Sequence, residues 1–178
     1  SKKYDLSNLV EFTIEVNPGE APIEHLKLYK DFGINRLSIG VQSLQPELLK
    51  FLTRIHDRKK VFQTYNNARD IGYDNINIDL IHSIPGQTLK LWKSDLEEIL
   101  KLKPEHISAY SLTVEKGTEL FGMVKKKIVL MPKEEINAKF FENTIERLTS
   151  NGYSLYEISN FSKPGLKCKH NIHYWNIE

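Results

Sequence analysis

Short runs of alternating apolar and polar residues recur along the chain, separated by longer stretches with a different period. Residues 12 to 16 (FTIEV), 36 to 42 (RLSIGVQ), 76 to 81 (INIDLI) and 106 to 113 (HISAYSLT) are rich in β-branched side chains and bounded by Pro, Gly, Asn or Lys. They predict strands. Between them apolar residues fall at helical spacing: Ile23, Leu26, Tyr29 and Phe32, then Phe62, Tyr65, Ala68 and Ile71, then Leu89, Trp92, Leu96, Ile99 and Leu100. Strand and helix alternating at this length predict parallel βαβ units with right-handed crossovers. Asn17-Pro18-Gly19 reads as a turn, and Pro104 helps to end the third helix. A last helix is predicted from about Lys133 to Thr149, followed by Gly152 and a strand near Tyr153 to Ser159.

The phase of the strands carries more than their existence. Leu37, Ile39 and Val41 point one way and Ser38, Gly40 and Gln42 the other. Likewise Phe12, Ile14 and Val16 oppose Thr13 and Glu15, and Ile76, Ile78 and Leu80 oppose Asn77 and Asp79. A parallel strand covered by apolar layers on both sides would be apolar on both. The second face here must therefore meet something polar. In a closed (β/α)8 barrel, polar working groups gather at the C-terminal ends of the strands, and Glu15, Gln42 and Asp79 each sit late in theirs. Two carboxylates buried there without partners would cost several kcal/mol each, roughly. A ligand, a cation or arginines are expected to face them. Arg54, twelve residues after Gln42, is a candidate cation, and pairing of Glu15 and Asp79 with Arg36 or Arg58 at the rim is the structural alternative.

Composition narrows the function classes. The 178 residues are 40% hydrophobic, enough for one sizeable core. Lys plus Arg (25) nearly balances Asp plus Glu (23), and the basic residues are scattered apart from Lys125-Lys126-Lys127, which reads as a solvated turn. No nucleic-acid footprint follows. Apolar stretches fall well short of the roughly 20 residues of a membrane span, so no transmembrane segment is expected and the chain reads as soluble and cytoplasmic. Cys168 is the only cysteine, which excludes an internal disulfide and a cysteine-only metal site.

Six segments in order resemble the HemN/HemW branch of the radical S-adenosylmethionine proteins: Glu15-Val16-Asn17-Pro18-Gly19, Asn35 to Ser43 (NRLSIGVQS), Asn77-Ile78-Asp79-Leu80-Ile81, Pro85-Gly86-Gln87-Thr88, His106-Ile107-Ser108 and Tyr156 to Phe161 (YEISNF). The resemblance covers essentially the whole chain. It implies an α/β fold, a partial (β/α) barrel of parallel strands over residues 1–115, with residues 116–178 beginning a C-terminal α+β extension. It also implies a cofactor, S-adenosylmethionine, lying across the strand ends with its amino and carboxylate groups on one iron of a 4Fe-4S cluster. By position Glu15, Gln42, Arg54 and Asp79 match the family's cofactor contacts. Thr113 matches a backbone position beside the adenine, or is an ordinary strand end. Arg54 as a fork facing a carboxylate is the most specific of these assignments.

The same comparison exposes departures. Thr53 and Ser83 stand where the family usually has glycine, and would be strained if those positions need positive φ. His82 reads as a rim or core histidine, and His56 as either part of the family's Arg-x-His step or a solvent-facing helix start. The family's Cys-x3-Cys-x2-Cys cluster motif and its glycine-rich segment are absent. The lead from Ser1 to Tyr4 looks like the approach to a third strand, so two βα units are expected upstream, with a degenerate paralogue as the alternative to a fragment. Near the end, His170-Asn171-Ile172-His173-Tyr174-Trp175 resembles the motif of HemW-type haem chaperones. That implies haem binding, with His170 as an axial ligand and Tyr174 and Trp175 on the macrocycle, and delivery to an acceptor protein. The alternatives are an oxygen-independent coproporphyrinogen III dehydrogenase and, for this stretch, a packed connector with its aromatics in the core.

Overall fold

A computed structural model describes residues 8–176. Its elements are β1 (Thr13–Val16), α1 (Ile23–Asp31), β2 (Arg36–Gln42), α2 (Pro46–Phe51), α3 (Arg58–Asp70), β3 (Ile76–His82), α4 (Leu89–Leu102), β4 (His106–Ser111), α5 (Glu119–Lys125), α6 (Glu134–Thr149), β5 (Ser154–Leu155), β6 (Asn160–Ser162) and α7 (Lys169–Asn176). The strands form an open sheet in the order β1-β2-β3-β4-β6-β5. β1 to β4 are parallel, and β6 runs antiparallel to β4, as β5 does to β6. The fold is therefore the expected mixed α/β arrangement. The Ser1–Tyr4 lead lies outside the described residues.

One face of the sheet makes the core. Leu37, Ile39, Val41, Ile76, Ile78 and Leu80 are buried against Leu26, Val61, Tyr65, Ala68, Trp92, Leu96 and Ile99 of the crossover helices. Each large apolar side chain taken wholly out of water contributes about 1.5 to 3 kcal/mol, which makes this layer the main source of stability. Local signals set the helix ends. Asp57 accepts from the Lys60 N–H at the start of α3, and Thr88 from that of Leu91 at the start of α4. α4 stops at Lys103, which turns left-handed (φ 55°) just before Pro104. The position between residues 115 and 116 falls in the coil joining β4 to α5. Beyond it the chain returns to the same sheet through β6, and α6 packs on α4, where the Trp92 indole N–H donates to Thr144 Oγ1 at 2.9 Å.

Three details differ from the sequence expectation. The fourth strand ends at Ser111 rather than 113, because its neighbour β3 ends at His82 and Ser83 turns left-handed (φ 63°). Thr113 consequently lies in exposed coil past the strand. The strand expected over residues 153 to 159 is two short antiparallel pieces, Ser154–Leu155 and Asn160–Ser162, with a turn at Glu157, whose carboxylate accepts from the Ser159 N–H. Third, three short helices carry too few turns for a periodicity to show: α2, α5 and α7. The lysine run sits where α5 ends, with all three side chains exposed. No helix of the described residues is long and apolar enough to cross a membrane.

Candidate functional site

The polar face of the sheet opens into two adjoining cavities. One, of about 570 Å3 at the C-terminal ends of β1 to β3, is lined by Glu15, Asn17, Gly40, Gln42, Arg54, Asp79 and Tyr110 among others. The second, of about 370 Å3, runs from Glu15, Asp79 and Tyr110 down to Glu11, Arg36, Cys168 and His170. Four of the five residues matched to cofactor contacts thus face one space, while Thr113 does not line it. Neither Glu15 nor Asp79 has a Lys or Arg within salt-bridge distance among the described residues. Arg58 pairs with Glu98 and Arg36 with Glu11 instead, so the structural alternative for the two carboxylates is not what is seen.

Gln42 reaches the cavity by an irregular route. The register between β2 and β3 shifts between Gly40 and Gln42, and Gln42 itself is left-handed (φ 64°). Such a backbone costs a non-glycine residue roughly 1 to 2 kcal/mol. It is held there from behind. His56, read from the sequence either as part of the Arg-x-His step or as a solvent-facing helix start, is not solvent-facing: it is buried and its Nε2 lies 3.0 Å from the Val41 carbonyl oxygen. Burial lowers the His56 pKa, partly offset by that bond, and the neighbouring Arg54 lowers it further. Beyond Gln42, Asp95 of α4 is fully buried and accepts from Ser43 Oγ (2.6 Å), Gln45 Nε2 (2.7 Å) and the Leu44 N–H (3.3 Å). Burial raises its carboxyl pKa against these three bonds. Asp95 therefore pins the β2–α2 junction, and nothing in its sequence neighbourhood singled it out.

Arg54 is exposed, and its Nη1 donates to Asn17 Oδ1 at 3.4 Å. Asn17 belongs to the turn read from the sequence and acts here as an anchor for the guanidinium. Gly40 keeps the cavity open, since a Cβ there would stand 3.0 Å from Gln42 Nε2 and 3.2 Å from Asn17 Oδ1. Asp79 accepts from Ser38 Oγ (2.7 Å) and Asn77 Nδ2 (2.8 Å), bonds that orient both its oxygens. Thr53 is left-handed (φ 55°), as is Ser83. Thr53→Gly should raise the unfolding free energy by roughly 0.5 to 1 kcal/mol in urea denaturation. Ser83→Gly should be near neutral, because relief of strain is offset by loss of the buried Ser83 Oγ bond to His82 Nδ1. His82 itself is a core histidine, stacked on Phe140 and edge-on to Trp92.

At the far end of the second cavity, the Glu11 carboxylate caps α7. It accepts from the Lys169 and His170 N–H groups at 3.0 and 3.3 Å, and from the Cys168 thiol. His170 lines the cavity. Tyr174 and Trp175 do not fill core: they are 74% and 53% exposed and meet each other edge-to-face. The stretch is a helix with an exposed aromatic pair rather than a packed connector. Cys168 is buried, with its thiol pKa raised by burial. Among the described residues no group of three or more His, Cys, Asp or Glu could hold a metal ion.

The sequence is 40% identical over its whole length to heme chaperone HemW of Lactococcus lactis, and 41% identical over 97% of its length to heme chaperone HemW of Bacillus subtilis. The chain spans about half the length of these relatives, 47% and 45%. Among solved structures it resembles coproporphyrinogen III oxidase (HemN) from Escherichia coli, described as a radical SAM enzyme. The TM-score is 0.77 at 28% identity, over 93% of this chain and 38% of that one. The sequence model of the Radical SAM superfamily matches residues 2–102. That stretch is more than half of the 178 residues and contains β1, β2 and β3 with Glu15, Gln42, Arg54 and Asp79, and on that match the chain belongs to the Radical SAM superfamily.

Proposed function

We propose that the 570 Å3 cavity binds S-adenosylmethionine, and that the whole protein is a haem chaperone of the HemW type, which binds haem and passes it to an acceptor protein. The observation that carries the cofactor assignment is the convergence of Glu15, Gln42, Arg54 and Asp79, from separate segments, on one polar space. The planar guanidinium of Arg54 suits a carboxylate. Glu15 and Asp79 offer acceptors for ribose hydroxyls and an ammonium group, and Gln42 offers both a donor and an acceptor. Thr113 lies in exposed coil and does not line this cavity, so its backbone would meet the adenine only where that ring extends past the strand ends. In this superfamily the bound cofactor, with a reduced 4Fe-4S cluster, supplies a 5'-deoxyadenosyl radical. The single cysteine of this chain cannot supply three thiolates, so residues outside it would hold the cluster. The work of these residues is then to hold the cofactor's carboxylate, ammonium and ribose in fixed positions, with Asp95 and His56 stiffening the junction from which Gln42 and Arg54 project.

The haem assignment rests on likeness to the HemW chaperones at about 40% identity and on the position of the α7 residues. His170 would be the axial ligand, and Tyr174, one helical turn on, would lie on the macrocycle with Trp175. In the whole protein with its cluster assembled, His170→Ala should alter the Soret spectrum of bound haem, and Trp175→Ala should mainly weaken affinity. Haem titration followed by absorbance checks both. The likeness to HemN favours a second reading, decarboxylating oxidation of coproporphyrinogen III. Robust conversion of that substrate would establish it and overturn the chaperone reading.

A further inference from the structure

A line of hydrogen bonds, buried at its centre and half-buried at its ends, joins the cofactor cavity to α7. Asp79 Oδ2 accepts from Ser38 Oγ at 2.7 Å and Oδ1 from Asn77 Nδ2 at 2.8 Å. Asn77 Nδ2 also donates to Ser38 Oγ at 2.7 Å. The amide nitrogen of Asn77 must face this way, because the reverse orientation would set its carbonyl oxygen against a carboxylate. Its Oδ1 therefore points away from Asp79, accepting from Ser108 Oγ at 3.2 Å and lying 2.6 Å from His106 Nδ1. An amide oxygen can only accept, so the His106 proton is on Nδ1. Nε2 is then an acceptor, and the Tyr156 hydroxyl, 2.7 Å away, donates to it. The Tyr156 oxygen in turn accepts from the Cys168 N–H (3.3 Å) and from Asn171 Nδ2 (3.4 Å), at the first turn of α7. Every donor in the series points toward the Asp79 carboxylate.

We infer that His106 is a positioning residue for the cofactor cavity: fixed as the Nδ1–H tautomer between Tyr156 and Asn77, it aims the Asn77 amide at Asp79. It thereby ties the cavity to the helix that carries His170, Tyr174 and Trp175. This rests on the reading of Asp79 as a contact of S-adenosylmethionine. His106 is fully buried, and burial together with the charge of Arg36 pushes its pKa down to about 3, so the neutral ring the series requires persists at ordinary pH. A network that served folding alone would need the same bonds but would leave cofactor affinity unmoved when broken at its far end.

The test uses the whole protein with its cluster assembled. Long-range proton–nitrogen correlation of the 15N-labelled protein should show His106 as the Nδ1–H tautomer; the Nε2–H form or an imidazolium at neutral pH would overturn the inference. Tyr156→Phe keeps the ring but removes the donor to His106. It should weaken S-adenosylmethionine binding roughly two- to tenfold, because the bond it removes, to the neutral His106 ring, is one between uncharged groups and reaches Asp79 only through Asn77. Tyr153→Phe is the control for destabilisation, because its hydroxyl donates to the Pro104 carbonyl at 2.6 Å, away from this series, and affinity should not change. Unchanged affinity in Tyr156→Phe, with a wild type that binds, overturns the positioning role alone. A wild type that does not bind overturns the cofactor reading and the positioning role together.

Discussion

Taking the protein from pH 7 to pH 5 should lower its unfolding free energy by about 4 kcal/mol, roughly 2 from each of His82 and His106. Burial pushes His82 down to about 4, and burial with the Arg36 charge pushes His106 down to about 3. In the unfolded chain both titrate near 6.5, so below that pH the unfolded state binds protons that the folded state refuses. Stability is fully present above about 6.5. It falls as the pH drops toward about 4 for His82 and about 3 for His106. His56, lowered for the same reason, acts in the same direction. Asp95 has the opposite sign: its raised carboxyl takes up a proton in the folded state first, which offsets part of the loss toward the acid end. Urea denaturation at pH 7, 6 and 5 measures the slope. His82→Phe should remove about half of it, since a phenyl ring can keep the stacking on Phe140 and the edge contact with Trp92 but binds no proton. A flat profile would mean that the two rings are not buried neutral.

Arg54→Ala, in the whole protein with its cluster assembled, should weaken S-adenosylmethionine binding by about 1.5 to 3 kcal/mol, the range for a charge-assisted hydrogen bond. The fold should scarcely notice. Arg54 is exposed and its described partner is the Asn17 side chain at 3.4 Å, so the stability change should stay within about 0.5 kcal/mol. Arg54→Lys should restore only part of the affinity, because an ammonium group keeps the charge and loses the fork. Calorimetric titration separates these effects from folding, and equal affinity in the wild type and Arg54→Ala would remove Arg54 from the site.

Much of this was legible in the sequence because the strands are amphipathic. The opposition of Leu37, Ile39 and Val41 to Ser38 and Gly40 fixed which face packs on helices, and the late positions of Glu15 and Asp79 fixed where the cavity lies. Gln42 reached the same cavity, though by a bulge and a left-handed backbone that period-2 counting does not contain. What stayed hidden depends on distant partners. The burial of His56 depends on the Val41 carbonyl fifteen residues away, and that of Asp95 on a junction some fifty residues away. His106 stands in one of the family-like segments, but its partners Asn77 and Tyr156 come from another strand and from the turn between β5 and β6, where the sequence pattern predicts continuous strand. Six- to eight-residue helices such as α2 and α7 offer one or two turns, too few for a hydrophobic period to stand out.

The most direct measurement is a crystal structure of the whole protein with S-adenosylmethionine bound. The expected result places the cofactor in the cavity between β1 and β3, its carboxylate on the Arg54 guanidinium and its hydroxyl and ammonium groups on Glu15, Gln42 and Asp79. A cofactor seated elsewhere, or one in this cavity that touches neither Arg54 nor Asp79, would contradict the assignment.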